Sequence, residues 1–340
     1  MHDDGGYRRL GRSGLEVSTL CVGTMMFGDR TDETEARAIL AIARDRGINF
    51  IDTADVYSLG ESERITGRLI AAERGHWVLA TKVANPMSKD PGCRGLSRRW
   101  IMRAIDGSLE RLGTDHVDIY YLHKEDPRTP LEETVAALGD LVRAGKIRYW
   151  GVSNYRAWRI AELVNLARAQ GVPPPVVCQP YYNAMNRMPE TEVLPACGYY
   201  GIGAACYSPI ARGVLTGKYR PGQPPPQDTR AARNDKRLMQ TEWREESLVL
   251  AQTIGDHAKA RGMTPAQFAV NWVLNNRLVS SAIVGPRTAE QMAEYVGALD
   301  HRFEAGDEAL VASLVPAGHP STPGYSDPAY PIEGRQPFAG

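Results

Sequence analysis

Eight short β-rich runs, each followed by a segment of helical periodicity, limit this chain to very few architectures. The runs cover residues 18–22, 49–52, 77–80, 117–122, 147–152, 176–178, 202–206 and 279–284. The helical segments between and after them cover 33–46, 62–72, 97–112, 131–144, 157–169, 190–199, 265–275 and 288–299. In the first of these, Ala36, Ile39, Leu40 and Ala43 share one face, and Gly47 stops the helix. Strands that alternate with helices pair in parallel, since each crossover returns the chain to the same end of the sheet. Eight such units close most simply as a (β/α)8 TIM barrel. A doubly wound sheet is the alternative, but no G-x-G-x-x-G follows the first strand.

A chain of 340 residues reads as a single domain on this plan, residues 1–340, with the barrel core at about 7–300. Gly11-Arg12-Ser13-Gly14 ahead of the first strand predicts an N-terminal hairpin that plugs the barrel floor. Two stretches break the rhythm. A long loop after strand 7, Tyr219 to Asp235, is proline-rich and reads as either a lid or a floppy insertion; we expect it to move over a bound ligand. An irregular C-terminal tail, 316–340, carries Tyr325, Tyr330 and Phe338, which suits a segment that docks on the body or on a neighbouring subunit.

Charge and cysteine usage narrow the function. Forty basic and forty acidic side chains give a formal net charge of zero, which argues against a nucleic-acid surface. Five scattered cysteines without a C-x-x-C make neither a disulfide framework nor a zinc site. The polar start Met1-His2-Asp3-Asp4 is no signal peptide, and no apolar run reaches transmembrane length. The expectation is a cytoplasmic protein with no membrane partner.

In a barrel of this kind the chemistry gathers at the C-terminal ends of the strands. Asp52, Lys82 and His123 end the second, third and fourth strands, and Tyr57 follows Asp52 in its loop. An ammonium beside a phenol favours the phenolate and lowers its pKa, and a carboxylate holds the ammonium in place. A histidine can hold a carbonyl oxygen. Together the four suit protonation of a developing alkoxide. Taken singly, each has a blander role: Asp52 as a turn residue or cap, Tyr57 and His123 as packing. A metal at His123 has no second ligand at usable spacing, so none is expected.

The order of these residues resembles the aldo-keto reductases. Gly47 to Tyr57 followed by Gly60-Glu61-Ser62-Glu63, Ala80-Thr81-Lys82, Val117 to His123 and Gly145 to Asn154 carry the likeness. Tyr207-Ser208-Pro209-Ile210, Gly213 to Lys218 and Gly285-Pro286-Arg287-Thr288 extend it. The resemblance implies NADP(H) across the barrel mouth, a small-molecule carbonyl substrate, Tyr57 as general acid tuned by Lys82 and Asp52, and His123 orienting the carbonyl. It implies that Ser153, Asn154 and Gln179 hold the nicotinamide carboxamide, with Tyr207 stacked on the ring. Ser208, Pro209, Ile210, Gly213, Leu215 and Lys218 would serve the pyrophosphate. Gly23, Thr24 and Asp52 would lie under the cofactor, and Gly285, Arg287, Gln291 and Glu294 near the adenosine. Arg287 would pair with a 2′-phosphate and select NADPH. Tyr295 stands where the family commonly has asparagine.

Met26, Phe27, Asn85-Pro86-Met87 and Tyr181-Tyr182-Asn183 are candidates for the substrate wall. A homo-oligomer is left open. The leading reading is a carbonyl reductase. The alternative is a cofactor-sensing regulatory subunit resembling the potassium-channel β subunits; a non-redox barrel enzyme fits the strand-end set poorly.

Overall fold

The computed structural model describes residues 6–332. Strands β1 (Tyr7–Arg9) and β2 (Glu16–Ser18) form an antiparallel hairpin. The barrel then runs β3 (Leu20–Gly23), α1 (Glu33–Asp45), β4 (Phe50–Asp52), α2 (Glu61–Ile70), β5 (Val78–Val83), α3 (Arg98–Leu112), β6 (Val117–Leu122) and α4 (Leu131–Arg143). It continues with β7 (Ile147–Ser153), α5 (Ala157–Ala169), β8 (Val177–Gln179), α6 (Val193–Tyr200), β9 (Gly203–Tyr207), α7 (Lys236–Thr241), α8 (Glu245–Ala260), α9 (Pro265–Leu274), β10 (Val279–Val284), α10 (Ala289–Val296) and α11 (Ala305–Leu314). Strands β3 to β10 pair in parallel in sequence order, and β10 closes on β3 through Ala282 opposite Leu20. The chain is a (β/α)8 barrel.

Local chemistry fixes the helix starts. The Asp32 and Ser97 side chains accept from the backbone N–H three residues on, capping α1 and α3. Thr264 and Gln267 form a reciprocal capping box at α9, with Pro265 at its first position. Helices such as α1, α3, α4 and α5 bury one face inward, α9 is buried almost throughout, and the outward faces of the strands complete that outer core.

A smaller inner core fills the barrel. Its members alternate along the strands: Phe50 on β4, Val78 and Ala80 on β5, Ile119 and Tyr121 on β6, Val177 on β8, Ala205 on β9, Ile283 on β10. Leu10 and Val17 of the hairpin close it from below. Gly11 makes that fit possible. Its φ is +60°, and a Cβ there would come within 2.1 Å of the Gly201 carbonyl oxygen.

The inward parity sets the site. Two residues beyond Phe50 comes Asp52, beyond Ala80 Lys82, beyond Tyr121 His123, beyond Val177 Gln179, and beyond Ala205 Tyr207. Side chains alternate across a strand, so the residues that cap the interior project into the same space as those that fill it.

Three expectations need correction. Ser18 belongs to the hairpin, and the first barrel strand begins at Leu20. The sixth helix starts at Val193, after a separate 3-10 turn at Met188–Glu190, because Pro195 is tolerated in a first turn but not in the interior of a helix begun at Glu190. Helices α7, α8 and α11 lie outside the eightfold alternation that organised the sequence reading.

The loop after β9 and the C-terminal tail are irregular but docked. Tyr219 of the loop is fully buried, and Asp235 caps α7. In the tail, Ser321 N–H donates to Met185 O at 2.8 Å, Arg237 holds Asp327 through two hydrogen bonds, and the Arg244 guanidinium lies 4.0 Å over the Tyr325 ring. Phe338 lies outside the described residues. Among the described residues no helix is long and apolar enough to cross a membrane, and the cysteines are unpaired.

Candidate active site

At the C-terminal mouth of the barrel a cleft of about 490 Å³ opens between the strand ends, the loop after β9 and the tail. Asp52, Tyr57 and His123 line it. Lys82 lies behind them, fully buried.

The lysine joins the other groups. Its Nζ donates to Asp52 Oδ2 at 2.5 Å, to the Thr53 carbonyl at 2.8 Å and to the Tyr57 hydroxyl at 3.1 Å. All three ammonium donors are therefore satisfied, which a buried cation requires. Asp52 is only 2% exposed and accepts a second bond, from Gln179 Nε2 at 2.8 Å. Burial works to lower the Lys82 pKa, but Asp52 and Tyr57 outweigh it and hold the ammonium above its ordinary value.

Tyr57 departs from the expected direction. Burial raises its pKa, and the opposing pull of Lys82 does not overcome that, so the phenol stands above its ordinary value. Tyr57 keeps its proton at neutral pH. The lysine still matters, because it offsets part of the burial cost of forming the phenolate.

The tautomer of His123 follows from its partner. Burial, then Lys82 and Lys124, push its pKa well down, so the ring is neutral at pH 7. The Asn85 amide nitrogen lies 3.1 Å from Nδ1. An amide N–H2 can only donate, so Nδ1 accepts and the proton sits on Nε2. The Tyr57 and His123 rings meet edge to face, centroids 5.9 Å apart.

Beside this group runs a band of amides and hydroxyls. Ser153 Oγ donates to Gln179 O at 2.9 Å. Asn154 Nδ2 donates to His123 O at 2.9 Å, and Tyr207 Oη donates to Asn154 Oδ1 at 2.8 Å. Tyr207 stacks on Tyr181 with centroids 5.3 Å apart. Ser153, Asn154, Gln179 and Tyr207 all line the cleft.

The other end of the cleft is cationic. Lys218, Arg230 and Arg287 line it, with Glu294. Burial and then Arg287, Arg230 and Arg233 push the Lys218 pKa down to about 8. Cations crowded this closely favour an anion of multiple charge. The turn that leads into Lys218 needs Gly213: φ is +98°, and a Cβ would meet Lys218 Nζ at 3.0 Å.

Most residues singled out from the sequence face this cleft: Gly23, Ser208, Pro209, Ile210, Gly213, Gly285, Gln291 and Tyr295, besides those above. Two do not. Thr24 is fully buried, its hydroxyl bonded to Ser62 Oγ at 2.8 Å, and Leu215 is buried in the outer core. Of the substrate-wall candidates, Met26 lines the cleft and Asn85 serves His123. Phe27 is core, Met87 packs against it, and Tyr182 packs on Trp272.

The sequence reading missed Arg212, Arg230 and Arg237, which also line the cleft. Arg230 comes from the proline-rich loop, where a cation among prolines reads as solvated surface. Tyr330 brings the tail to the cleft wall; its only signal was an aromatic in a polar stretch.

The chain matches the family model described as "Aldo/keto reductase family" over residues 19–315. It belongs to that family of oxidoreductases. A relative from Oryza sativa subsp. japonica named "Probable voltage-gated potassium channel subunit beta" is 39% identical over 86% of this chain and 91% of its own length. A relative of the same name from Arabidopsis thaliana is 39% identical over the same shares. "Uncharacterized oxidoreductase YrpG" of Bacillus subtilis is 36% identical over 93% of this chain and 98% of its own length.

Proposed function

We propose that the protein is an NADPH-dependent reductase of aldehydes or ketones, working in a reducing cytosol. The observation that carries this reading is the bonded run from Asp52 through Lys82 to Tyr57, ending in the cleft beside a neutral histidine. The residues present fit the cofactor. Ser153, Asn154 and Gln179 supply the donors and acceptors a carboxamide needs, Tyr207 offers a ring face, and Lys218, Arg230 and Arg287 would hold phosphates. When bound, the cofactor supplies a hydride to the carbonyl carbon. His123 Nε2–H holds the carbonyl oxygen. Tyr57 Oη gives its proton to that oxygen as charge develops, and the Lys82 ammonium stabilises the phenolate left behind. Asp52 keeps the ammonium in place. In the reverse direction the phenolate takes the proton back.

The test is NADPH oxidation by the purified chain against a panel of aldehydes and ketones, with NADH in parallel. Turnover on several members supports the reading. Two of the relatives carry channel-subunit names, which favours one second reading: a cofactor-sensing regulatory subunit. Tight NADPH binding without turnover would select it.

Two results should accompany cofactor binding. Arg287→Ala should weaken NADPH by ~10–100-fold, the worth of a charge-assisted contact to the 2′-phosphate, and NADH by less than about twofold. Equal weakening would move the 2′-phosphate elsewhere. The second concerns pH. Lys218 titrates at about 8 in the free chain, and a phosphate favours its charged form. Binding above pH 8 must take up a proton, so the NADPH Kd should rise there by up to about tenfold per pH unit. Lys218→Arg should flatten that rise. A flat wild-type titration between pH 7 and 9.5 would count against a Lys218–phosphate contact.

A further inference from the structure

Arg212 lines the cleft as a partly buried cation without an ion-pair partner among the described residues. Its Nε donates to Thr241 Oγ1 at 3.0 Å, and its guanidinium lies 5.1 Å over the Tyr181 ring. These are a neutral hydroxyl and a π face, and neither cancels a charge. The neighbouring arginines are matched: Arg237 holds Asp327, and Arg230 faces Asp235 at 3.5 Å. A cation withdrawn from water needs a counter-charge, and here a ligand can supply it.

The backbone is strained to place this side chain. Ala211 and Arg212 both adopt the left-handed region, at φ +47° and +54°. Residues with a Cβ enter it at a cost, and such outliers persist where the surroundings hold them for use.

Its stacking ties it to the reacting end: Tyr181, under the Arg212 guanidinium, is itself stacked on Tyr207 with centroids 5.3 Å apart. Arg212 shares its field with Tyr207, Arg237, Asp235, Asp327 and Tyr330, and with Arg230 on its other side. Tyr207 is bonded to Asn154, whose amide holds the His123 backbone. Lys218 is instead crowded by Arg287, Arg230 and Arg233. Arg212 thus belongs with the reacting end of the cleft.

We infer that Arg212 anchors an anionic group on the substrate, so that the preferred substrates are carbonyl compounds bearing a carboxylate or similar anion remote from the C=O. This rests on the reductase reading and adds the substrate class. A guanidinium presents a planar fork of donors that fits a carboxylate through two parallel bonds, and aromatic flanks keep it from water.

The experiment compares 4-formylbenzoate with its methyl ester, which differ in charge and little in shape. The wild type should favour the acid in kcat/KM by at least about tenfold. Arg212→Met should remove that preference through the KM of the acid, with the NADPH Kd within twofold of wild type. An absent preference in the wild type overturns the inference. A loss of NADPH affinity as large as the loss for the acid also overturns it, by assigning the guanidinium to the cofactor pyrophosphate. Terephthalate, a dianion that cannot be reduced, tests the anchor without turnover. It should raise the Tm of the full wild-type chain and not of Arg212→Met. Equal shifts in both chains, or none in either, reject the anchor. If terephthalate discriminates the two chains but neither aldehyde is reduced, the anchor stands and the reductase reading fails.

Discussion

Tyr57→Phe should lower turnover by about 10²–10⁴-fold, the usual contribution of a positioned general acid, while the NADPH Kd stays within about twofold. The change removes one oxygen from a ring whose edge-to-face contact with His123 remains. Lys82 loses a single bond, at 3.1 Å, and keeps those to Asp52 and Thr53. Folding should therefore survive, and a melting curve beside the rate assay checks that. Because the Tyr57 pKa lies above its ordinary value, the wild-type reduction rate should not fall for loss of this proton anywhere near neutral pH. Retained turnover in the variant would show that another group carries the proton.

Lys82→Met should be costly in both stability and activity. The ammonium is the counter-charge of a carboxylate that is 2% exposed, and methionine matches the volume without the charge. Breaking such a buried pair from one side costs about 3–5 kcal/mol. The sign with pH is specific. Burial already holds the Asp52 carboxyl above its ordinary pKa against the pull of Lys82, and without that cation the carboxyl of the variant rises further. Such a group binds its proton more tightly in the folded state, so the variant should lose stability as pH rises from about 4 toward neutrality. Denaturant titrations at pH 5 and pH 8 should show the larger deficit at pH 8. Adding Asp52→Asn removes the stranded charge and should restore much of the stability without restoring turnover. An equal deficit at both pH values would mean that the ion pair is not what the lysine contributes to folding.

Much of the barrel was legible because its determinants are local. Asp32, Ser97 and Thr264 cap helices whose hydrogen bonds span only a few residues. The ends of the β-rich runs are marked locally as well, which is why Asp52, Lys82, His123, Gln179 and Tyr207 were found there. The hairpin was marked by its glycines. Helices α8 and α11 escaped because an eight-unit alternation was already complete without them.

What the sequence determined by itself was the alternation, its parity, and the list of polar groups at the mouth; these depend on periodicity and near-neighbour sterics. The tertiary structure decided the charges and the walls. Burial outweighs Lys82 at Tyr57, so the phenol moves up where pairwise reasoning sent it down. Asn85 sets the proton on His123 Nε2. Arg230 and Tyr330 join the cleft from loops whose composition reads as surface, and Arg212 from the turn that the resemblance gave to the pyrophosphate. Electrostatic energies depend on distance and on exclusion of water, and both arise only when segments far apart in the chain are packed together.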